Sequence, residues 1–172
     1  MADPTPAHEH PAALDDASLL KHCRMDQTRG GGPGGQHRNK TATGIRLTHE
    51  PTGITAQAGE RRSQADNRRQ ALRRLRVKLA LHVRCDVAGS PSALWQSRCR
   101  GGRLSINPDH ADFPALLAEA LDWIVAAGED IKRAATALGV STTQLVGLLR
   151  DEPAALEQVN HARQARGRPT LR

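Results

Sequence analysis

The spacing of apolar residues changes along the chain from an alternating to a helical pattern. Residues 45–48 alternate between apolar and polar side chains, as a half-buried strand does. A turn signal at Pro51-Thr52-Gly53 and a second apolar segment, 54–58, predict a β-hairpin over residues 45–58. From Ser63 onwards the pattern predicts a long helix. Its apolar face is formed by Leu72, Leu75, Leu79 and Val83.

The segment before the hairpin is dominated by glycine. Residues 22–29 are consistent with a strand, but no regular element can continue through the block Gly30–Gly35, which only Pro33 interrupts. Residues 36–43 could form a short helix that stops at Gly44. The first half of the chain therefore combines strands, a glycine-rich loop and helix.

The second half has helical periodicity throughout. The apolar stripe of a first helix ends at Gly128, Asp130 can cap a second helix, and Ser141 can cap a third. The last two helices are joined through residues 138–141, which is a helix-turn-helix pattern. The stripes are formed by Leu117, Ala120, Leu121 and Ile124, by Ile131, Ala134, Ala135 and Leu138, and by Leu145, Leu148 and Leu149.

These patterns predict an α+β chain in which a small mixed domain precedes an all-α module. We expect Leu94 and Trp95 to anchor the Gly/Pro-rich bridge between them, and the Arg-rich end to be mobile. The predicted segments are a disordered N-terminus (1–13), a small mixed α+β domain (14–84), a linker or bridge (85–111), a helix-turn-helix-like module (112–160) and a basic tail (161–172).

Composition restricts the compartment and the architecture. The 172 residues suffice for one ordinary domain or two small ones, and 2% aromatic residues require an aliphatic core. No apolar run approaches the roughly 20 residues of a membrane span, and neither end resembles a targeting peptide. Three cysteines without a CxxC pair indicate a reducing compartment, so we expect a cytoplasmic protein with no membrane partner.

The positive charge is concentrated in one stretch of the chain. Residues 60–84 contain nine basic and two acidic residues, a balance of +7 that equals the net charge of the whole chain. Such a concentration indicates a polyanionic partner, most simply a nucleic acid, although a solvated helix face has the same pattern. Residues 101–152 contain four basic and eight acidic residues, which disfavours groove reading by the helix-turn-helix segment.

The glycine block permits several interpretations. It satisfies G-x-G-x-x-G, but the preceding segment is polar, Pro33 lacks a backbone donor and no βαβ unit surrounds it. A Walker-type phosphate loop is excluded because no Gly-Lys-Ser/Thr follows the glycines. A third interpretation is a glycine tip that inserts bare backbone into a crowded site and presents its amide groups.

Three ordered motifs favour the third interpretation. Pro33-Gly34-Gly35-Gln36-His37-Arg38 resembles the GGQ loop of class I peptide chain release factors and of related ribosome-rescue peptidyl-tRNA hydrolases. Residues 48–54 resemble the hairpin turn of that catalytic domain, and Arg62-Ser63-Gln64 with Asn67-Arg68 resembles the start of its last helix. The resemblance covers about residues 14–84 and leaves the second half of the chain unexplained.

The resemblance implies a β-α-β-β-α domain that hydrolyses the peptidyl-tRNA ester in the peptidyl transferase centre of the large ribosomal subunit. The implied catalytic residues are Gly34, Gly35 and Gln36, with the backbone N–H of Gln36 directed at the developing oxyanion. The implied partners are large-subunit ribosomal RNA and peptidyl-tRNA, without a cofactor. Residues expected to contact RNA are His37, Arg38, Lys40, Arg61, Arg62, Arg68, Arg69, Arg73 and Arg76.

The rest of the sequence indicates whether release depends on a stop codon. About 30 residues precede the loop and none of the chain is a candidate stop-codon reader, so we expect codon-independent rescue of stalled ribosomes or large subunits. The tail is too short and too poor in basic residues to resemble the long basic tails that occupy the messenger channel in small rescue factors. The helical module, rather than that tail, is then expected to bind the messenger channel or a protein factor.

Two alternatives stay open. The chain could be a non-catalytic RNA- or DNA-binding module, in which case Gln36 would be replaceable. A zinc site from His82, Cys85, Cys99 and His110 is the weakest alternative because its H-x-x-C spacing has no matching pair, so we expect no metal.

Overall fold

The computed structural model describes residues 9–28, 43–87 and 89–172. The chain divides into two compact units, one formed by residues 14–79 and the other by residues 80–172 together with the segment up to Ala13. The α+β fold class is confirmed. The elements in chain order are α1 (Asp16–Lys21), β1 (Cys23–Thr28), β2 (Gly44–His49), β3 (Ile54–Ala58), α2 (Gln64–His82), α3 (Ala93–Arg98), β4 (Cys99–Arg100), β5 (Arg103–Leu104), α4 (Phe113–Ala126), α5 (Ile131–Ala137), α6 (Thr142–Arg150) and α7 (Pro153–Ala165).

The first unit contains a three-stranded antiparallel sheet in the order β1-β2-β3. The predicted hairpin is confirmed as β2 and β3, and the expected strand over residues 22–29 as β1. Ile45 and Leu47 are buried, as their alternation with polar neighbours predicted. Thr43 is not helical, and residues 36–42 of the expected short helix lie outside the described residues.

The turn between β2 and β3 depends on His49. Its carbonyl oxygen accepts the backbone N–H of Thr52 (3.3 Å) and of Gly53 (2.8 Å), and Gly53 adopts a φ of 69° that favours glycine. Its ring Nδ1 lies 2.8 Å from Thr52 Oγ1, and the ring packs edge-on against His22. Burial, and secondarily the neighbouring His22, lowers the pKa of His49.

Helix α2 follows β3 and carries the predicted apolar face as far as Leu79, whereas Val83 follows the end of the helix and is half-buried. Leu72, Leu75 and Leu79 are buried, whereas Lys78 Nζ donates to the Thr55 carbonyl oxygen at 2.8 Å and Arg74 Nη1 to that of Gln57 at 2.7 Å. These two hydrogen bonds connect the helix to the backbone of β3. The long side chains therefore fix the helix along the edge strand while keeping their charges near solvent.

Helix α1 lies in a segment whose apolar pattern is too short to predict a helix. The Asp15 side chain caps it by accepting the Ser18 backbone N–H at 3.0 Å. Hydrogen bonds from the Ser18 side chain and then from its backbone N–H lower the pKa of Asp15. Leu19 is fully buried. One cap and one apolar anchor thus hold this six-residue helix.

Four helices, α4 to α7, form most of the second unit, and the predicted apolar stripes are buried in them. The caps Asp130 and Ser141 are confirmed, since their side chains accept the backbone N–H of Arg133 and Gln144 at 3.1 Å each. Gly128 and Gly139 have φ values of 66° and 68°, so each ends its helix in the left-handed conformation.

The segment 85–111, expected as a linker or irregular bridge, contains helix α3 and the two-stranded sheet β4-β5. The expected anchor Trp95 is 1% exposed, and its indole Nε1 donates to the Leu138 carbonyl oxygen at 2.9 Å. Leu94 is only partly buried. The short elements were missed because Gly and Pro flank them so closely that no periodicity develops.

Of the N-terminal segment expected to be disordered, residues 1–8 lie outside the described residues. In the remainder His10 is buried, and its Nε2 lies 3.2 Å from the Val83 carbonyl oxygen.

At the other end, Arg163 is 8% exposed and donates to the carbonyl oxygens of Glu129 (2.6 Å) and Pro169 (2.9 Å). The Asn160 side chain accepts the Leu171 backbone N–H at 2.6 Å. The basic tail, expected to be mobile, therefore packs on its own unit.

No helix among the described residues is long and apolar enough to span a membrane.

Replacing Trp95 tests the packing of the second unit. Trp95→Ala should lower the free energy of unfolding by about 3–5 kcal/mol, because a fully buried indole is replaced by a cavity. Trp95→Phe should cost less, since it keeps most of the ring and removes the hydrogen bond to Leu138. Urea denaturation followed by circular dichroism measures both, and equal midpoints for the two variants would contradict the packing argument.

Candidate functional site

The predicted catalytic residues Gly34, Gly35 and Gln36 lie outside the described residues, as do the expected RNA contacts His37, Arg38 and Lys40. The structure describes the base from which this segment leaves the sheet. Thr28 at the end of β1 pairs with Gly44 at the start of β2. The two residues that flank positions 29–43 in the sequence are therefore paired in one antiparallel register.

This pairing requires glycine at position 44. A Cβ atom at Gly44 would lie 2.7 Å from the Thr28 carbonyl oxygen, closer than van der Waals contact permits. The Cβ would also meet the Thr28 hydroxyl. Rotation of the Thr28 side chain could move the hydroxyl away, but the clash with the backbone carbonyl oxygen would stay. Gly44 thus permits the close approach of the two strands where the segment begins and ends.

Asn67 of α2 binds the backbone of Thr43, the residue just before β2. Its side chain is fully buried, and its Nδ2 donates to the carbonyl oxygens of Thr43 (2.7 Å) and Arg61 (2.8 Å). Its Oδ1 accepts the Arg61 backbone N–H at 2.9 Å. One amide thereby connects the residue that precedes β2 to the turn that precedes α2. Sequence reasoning noticed Asn67 only as part of a motif, because nothing local indicates these partners.

The predicted RNA-binding arginines of this unit do not share one environment. Arg61, Arg62 and Arg68 are exposed, and the described residues form no salt bridge with them. Arg69 pairs with Asp66 one turn away. Arg73 is half-buried and has a partner of its own.

Arg76 is held within the unit. Its Nη2 lies 2.7 Å from Asp16 Oδ1 of α1, and its side chain is only 11% exposed. Among the six predicted arginines, Arg61, Arg62 and Arg68 therefore offer the most accessible charges, while Arg76 links α2 to α1. Glu60 is paired too, since its Oε1 accepts from Arg74 Nη1 at 2.7 Å, and this hydrogen bond lowers the pKa of Glu60.

A second group of chemically active side chains lies in the helical unit. A ring nitrogen of His10, Sγ of Cys85 and a carboxylate oxygen of Asp122 all lie within 4.8 Å of one another. Burial lowers the pKa of His10, raises that of the Cys85 thiol and raises that of Asp122 to about 6. Of the described residues, only these three form a metal-ligand-type cluster of this size.

The four residues considered from the sequence as a zinc site do not come together in the structure. Cys99 Sγ lies 3.7 Å from the Gly139 carbonyl oxygen, and His110 contacts Arg98 and Asp112 instead of Cys85. Sequence reasoning missed His10 and Asp122 because they lie far from Cys85 along the chain and have no motif spacing.

Comparison with known proteins identifies the first unit. Residues 19–93 match the RF-1 domain. Peptide chain release factor 1 of Verminephrobacter eiseniae is 37% identical over 114 residues, which cover 66% of this chain and 30% of that protein. Peptide chain release factor 1 of Symbiobacterium thermophilum is 49% identical over 91 residues, 53% of this chain and 26% of that protein. The chain thus spans less than a third of the length of these relatives.

The matched range contains the Gly34-Gly35-Gln36 motif, the hairpin of β2 and β3, and helix α2 with Asn67. These are the segments whose motifs carried the resemblance in the sequence. Residues 19–93 thus match the RF-1 domain, and over this range, which holds the GGQ motif, the chain is release-factor-like.

Proposed function

We propose that this chain hydrolyses the ester bond between the peptide and transfer RNA on the ribosome, with Gly34-Gly35-Gln36 inserted in the peptidyl transferase centre. The main support is that the RF-1 domain match spans this loop. The register of Thr28 with Gly44 and the three hydrogen bonds of Asn67 support it further, since they fix the base of the loop. Precise placement is what a catalyst without its own nucleophile requires.

The chemistry follows from what the loop lacks. Residues 30–40 contain no Ser, Cys or carboxylate, so the nucleophile is water. Water attacks the ester carbonyl, the bond to the ribose oxygen breaks, and that oxygen leaves with a proton as the hydroxyl of transfer RNA. The backbone N–H of Gln36 donates to the developing oxyanion, and its side chain excludes bulkier nucleophiles. Gly34 and Gly35 give the backbone the freedom to place that amide.

Binding in this proposal is electrostatic and directed at RNA. His37, Arg38 and Lys40 next to the loop contact ribosomal or transfer RNA, and the exposed Arg61, Arg62 and Arg68 contact phosphates at the start of α2. Arg69 and Arg73 contribute by exchanging internal partners for phosphates. Arg76 acts indirectly, because its charge is committed to Asp16.

We further propose that hydrolysis is independent of the codon, as in the rescue of stalled ribosomes or large subunits. The helical unit outside the RF-1 match carries a charge of −4 over residues 101–152, which does not suit tracking of messenger RNA phosphates. The proposed partner of this unit is a protein factor or the entrance of the messenger channel. The proposed site of action is the cytoplasm, where the ribosomes are.

A non-catalytic RNA- or DNA-binding module is the second candidate function. The exposed arginines at the start of α2 favour it, because they serve binding as well as catalysis. The two functions differ in whether the chain releases peptide at all. Only the hydrolase requires Gln36 and Gly35.

The first functional prediction concerns the loop. On ribosomes stalled on a message without a stop codon, Gln36→Glu and Gly35→Ala should each reduce peptide release about a hundredfold, the order expected for loss or misplacement of one oxyanion donor. Release of labelled peptide measures the effect, and sedimentation with ribosomes should show unchanged binding.

Isolated large subunits carrying peptidyl-tRNA provide the matched second substrate. Release on ribosomes that requires a stop codon would overturn codon independence while retaining hydrolysis. Ribosome binding without release on either substrate, by wild type and variants alike, would instead support the binding module.

The second functional prediction concerns the arginines. Arg62→Ala with Arg68→Ala should weaken ribosome binding and lower the slope of log affinity against log salt by about 2, because two phosphate contacts are lost. The exposed pair Arg100 and Arg103 in the helical unit provides a control of equal charge change. Equal slopes for the two double variants would contradict a specific phosphate-binding surface at the start of α2.

The third prediction tests the amide anchor as a positioning residue. Asn67→Ala should expose the Arg61 backbone N–H to hydrogen exchange and lower the free energy of unfolding by about 1–3 kcal/mol, because buried polar groups lose their partners. The nearby exposed Gln64→Ala serves as the control. Unchanged protection of the Arg61 amide would show that the anchor is not needed.

A further inference from the structure

Three potential metal ligands of different chemical types converge within the helical unit. His10 precedes α1, Cys85 follows α2, and Asp122 lies in the last part of α4, yet their ligand atoms lie within 4.8 Å of one another. His10 and Asp122 are buried, and Cys85 is half-buried. Nothing in the proposed hydrolysis uses these groups.

The distances between the three ligand atoms, all within 4.8 Å, are close to those between the ligands of a bound ion. Zinc binds nitrogen and oxygen at about 2.0–2.2 Å and sulfur at about 2.3 Å in a tetrahedron, which places its ligands roughly 3.3–3.8 Å apart. The cluster would have to contract by about 1 Å, a change within the reach of side-chain rotation at His10 and Cys85.

The backbone around the cluster orients the ligands as it does around known metal ions. His10 Nε2 lies 3.2 Å from the Val83 carbonyl oxygen, and Nδ1 accepts the Ala12 backbone N–H at 3.0 Å, so both contacts orient the ring. Coordination by either ring nitrogen would replace one of these two hydrogen bonds. Asp122 Oδ1 accepts the Cys85 backbone N–H at 3.1 Å, which holds two of the ligand residues together.

The charges favour a divalent cation. A Cys85 thiolate and an Asp122 carboxylate would neutralise two positive charges, and Glu9, Asp86 and Glu119 line the adjoining cavity. Arg84 opposes a cation, since its Nη1 lies 3.9 Å from Asp122 Oδ1. That guanidinium is, however, also directed at the end of α2, where it donates to the carbonyl oxygens of Ala80 and Leu81 at 2.7 Å each.

We propose that His10, Cys85 and Asp122 bind one zinc ion, with the fourth coordination position open to the adjoining cavity of about 460 Å³. A thiolate, an imidazole and a carboxylate together suit zinc and disfavour magnesium and calcium, which prefer oxygen ligands. The ion would join the segment before α1, the end of α2 and α4 within one unit. Three protein ligands with one open position are also the arrangement of zinc sites that bind a small molecule or activate water.

The test uses the untagged full chain, stripped of metal by a chelator under reducing conditions and then dialysed against Zn²⁺ alone. Elemental analysis should give one zinc per chain for wild type. Cys85→Ser should weaken binding more than about 100-fold, beyond the loss caused by removing an outer-shell partner. Cys99→Ser is the matched control, because Cys99 is half-buried in the same unit and outside the cluster.

Co²⁺ in place of zinc identifies the ligand directly. A sulfur-to-cobalt charge-transfer band should appear in wild type and in Cys99→Ser and be lost in Cys85→Ser. Asp122→Asn keeps the size of the side chain and an acceptor for the Cys85 N–H, so it tests the site if Cys85→Ser does not fold. Saturating Zn²⁺ should also raise the melting temperature of wild type and leave that of Asp122→Asn nearly unchanged.

Three results would overturn the proposal. They are zinc binding well below one ion per chain in wild type, a cobalt band that follows Cys99 or Cys23 instead of Cys85, and equal zinc affinity of wild type and Asp122→Asn. Because the readouts are metal content, spectrum and melting temperature, they are independent of peptide release and of the proposed function.

Discussion

The buried amide of Asn67 is the interaction on which the geometry of the RF-1 domain depends. A fully buried polar side chain is stable only if its donors and acceptors have partners, and here all the partners are backbone groups of Thr43 and Arg61. These backbone groups belong to the two segments that enter β2 and α2. Displacing either segment would leave an unpaired buried group, so the amide couples the end of the glycine-rich segment to the start of the basic helix.

The same domain distributes its positive charge between internal ion pairs and the exposed surface. Arg74 and Arg76 are held by Glu60 and Asp16, whereas Arg61, Arg62 and Arg68 near the start of α2 keep their charges exposed. Internal partners reduce the self-repulsion of a stretch with a balance of +7. The charge available for a polyanion is thereby concentrated at the end of the helix that Asn67 ties to Thr43, the residue before β2.

The helical unit is held together by polar groups from both of its terminal segments. Arg163 donates to Glu129 and Pro169, and His10 contacts Val83, so segments whose composition suggests disorder are ordered by a few buried hydrogen bonds. The same packing brings His10 next to Cys85 and Asp122. Buried polar groups with specific partners thus fix the arrangement that the aliphatic core, by itself, would leave less determined.

The sequence by itself determined the elements with clear periodicity: the β2-β3 hairpin, α2 and α4 to α6, together with the caps Asp130 and Ser141. These features depend on neighbours within a few residues, which is why spacing and cap chemistry predict them. The glycine-rich motif indicates the family for the same reason, since its residues are contiguous in the chain. Only the tertiary structure decided the partners of Asn67, Arg76, His10 and Arg163, because each contacts groups that no local pattern specifies. Helix α1 and the sheet β4-β5 were missed for the related reason that two to six residues are too few for a period to appear.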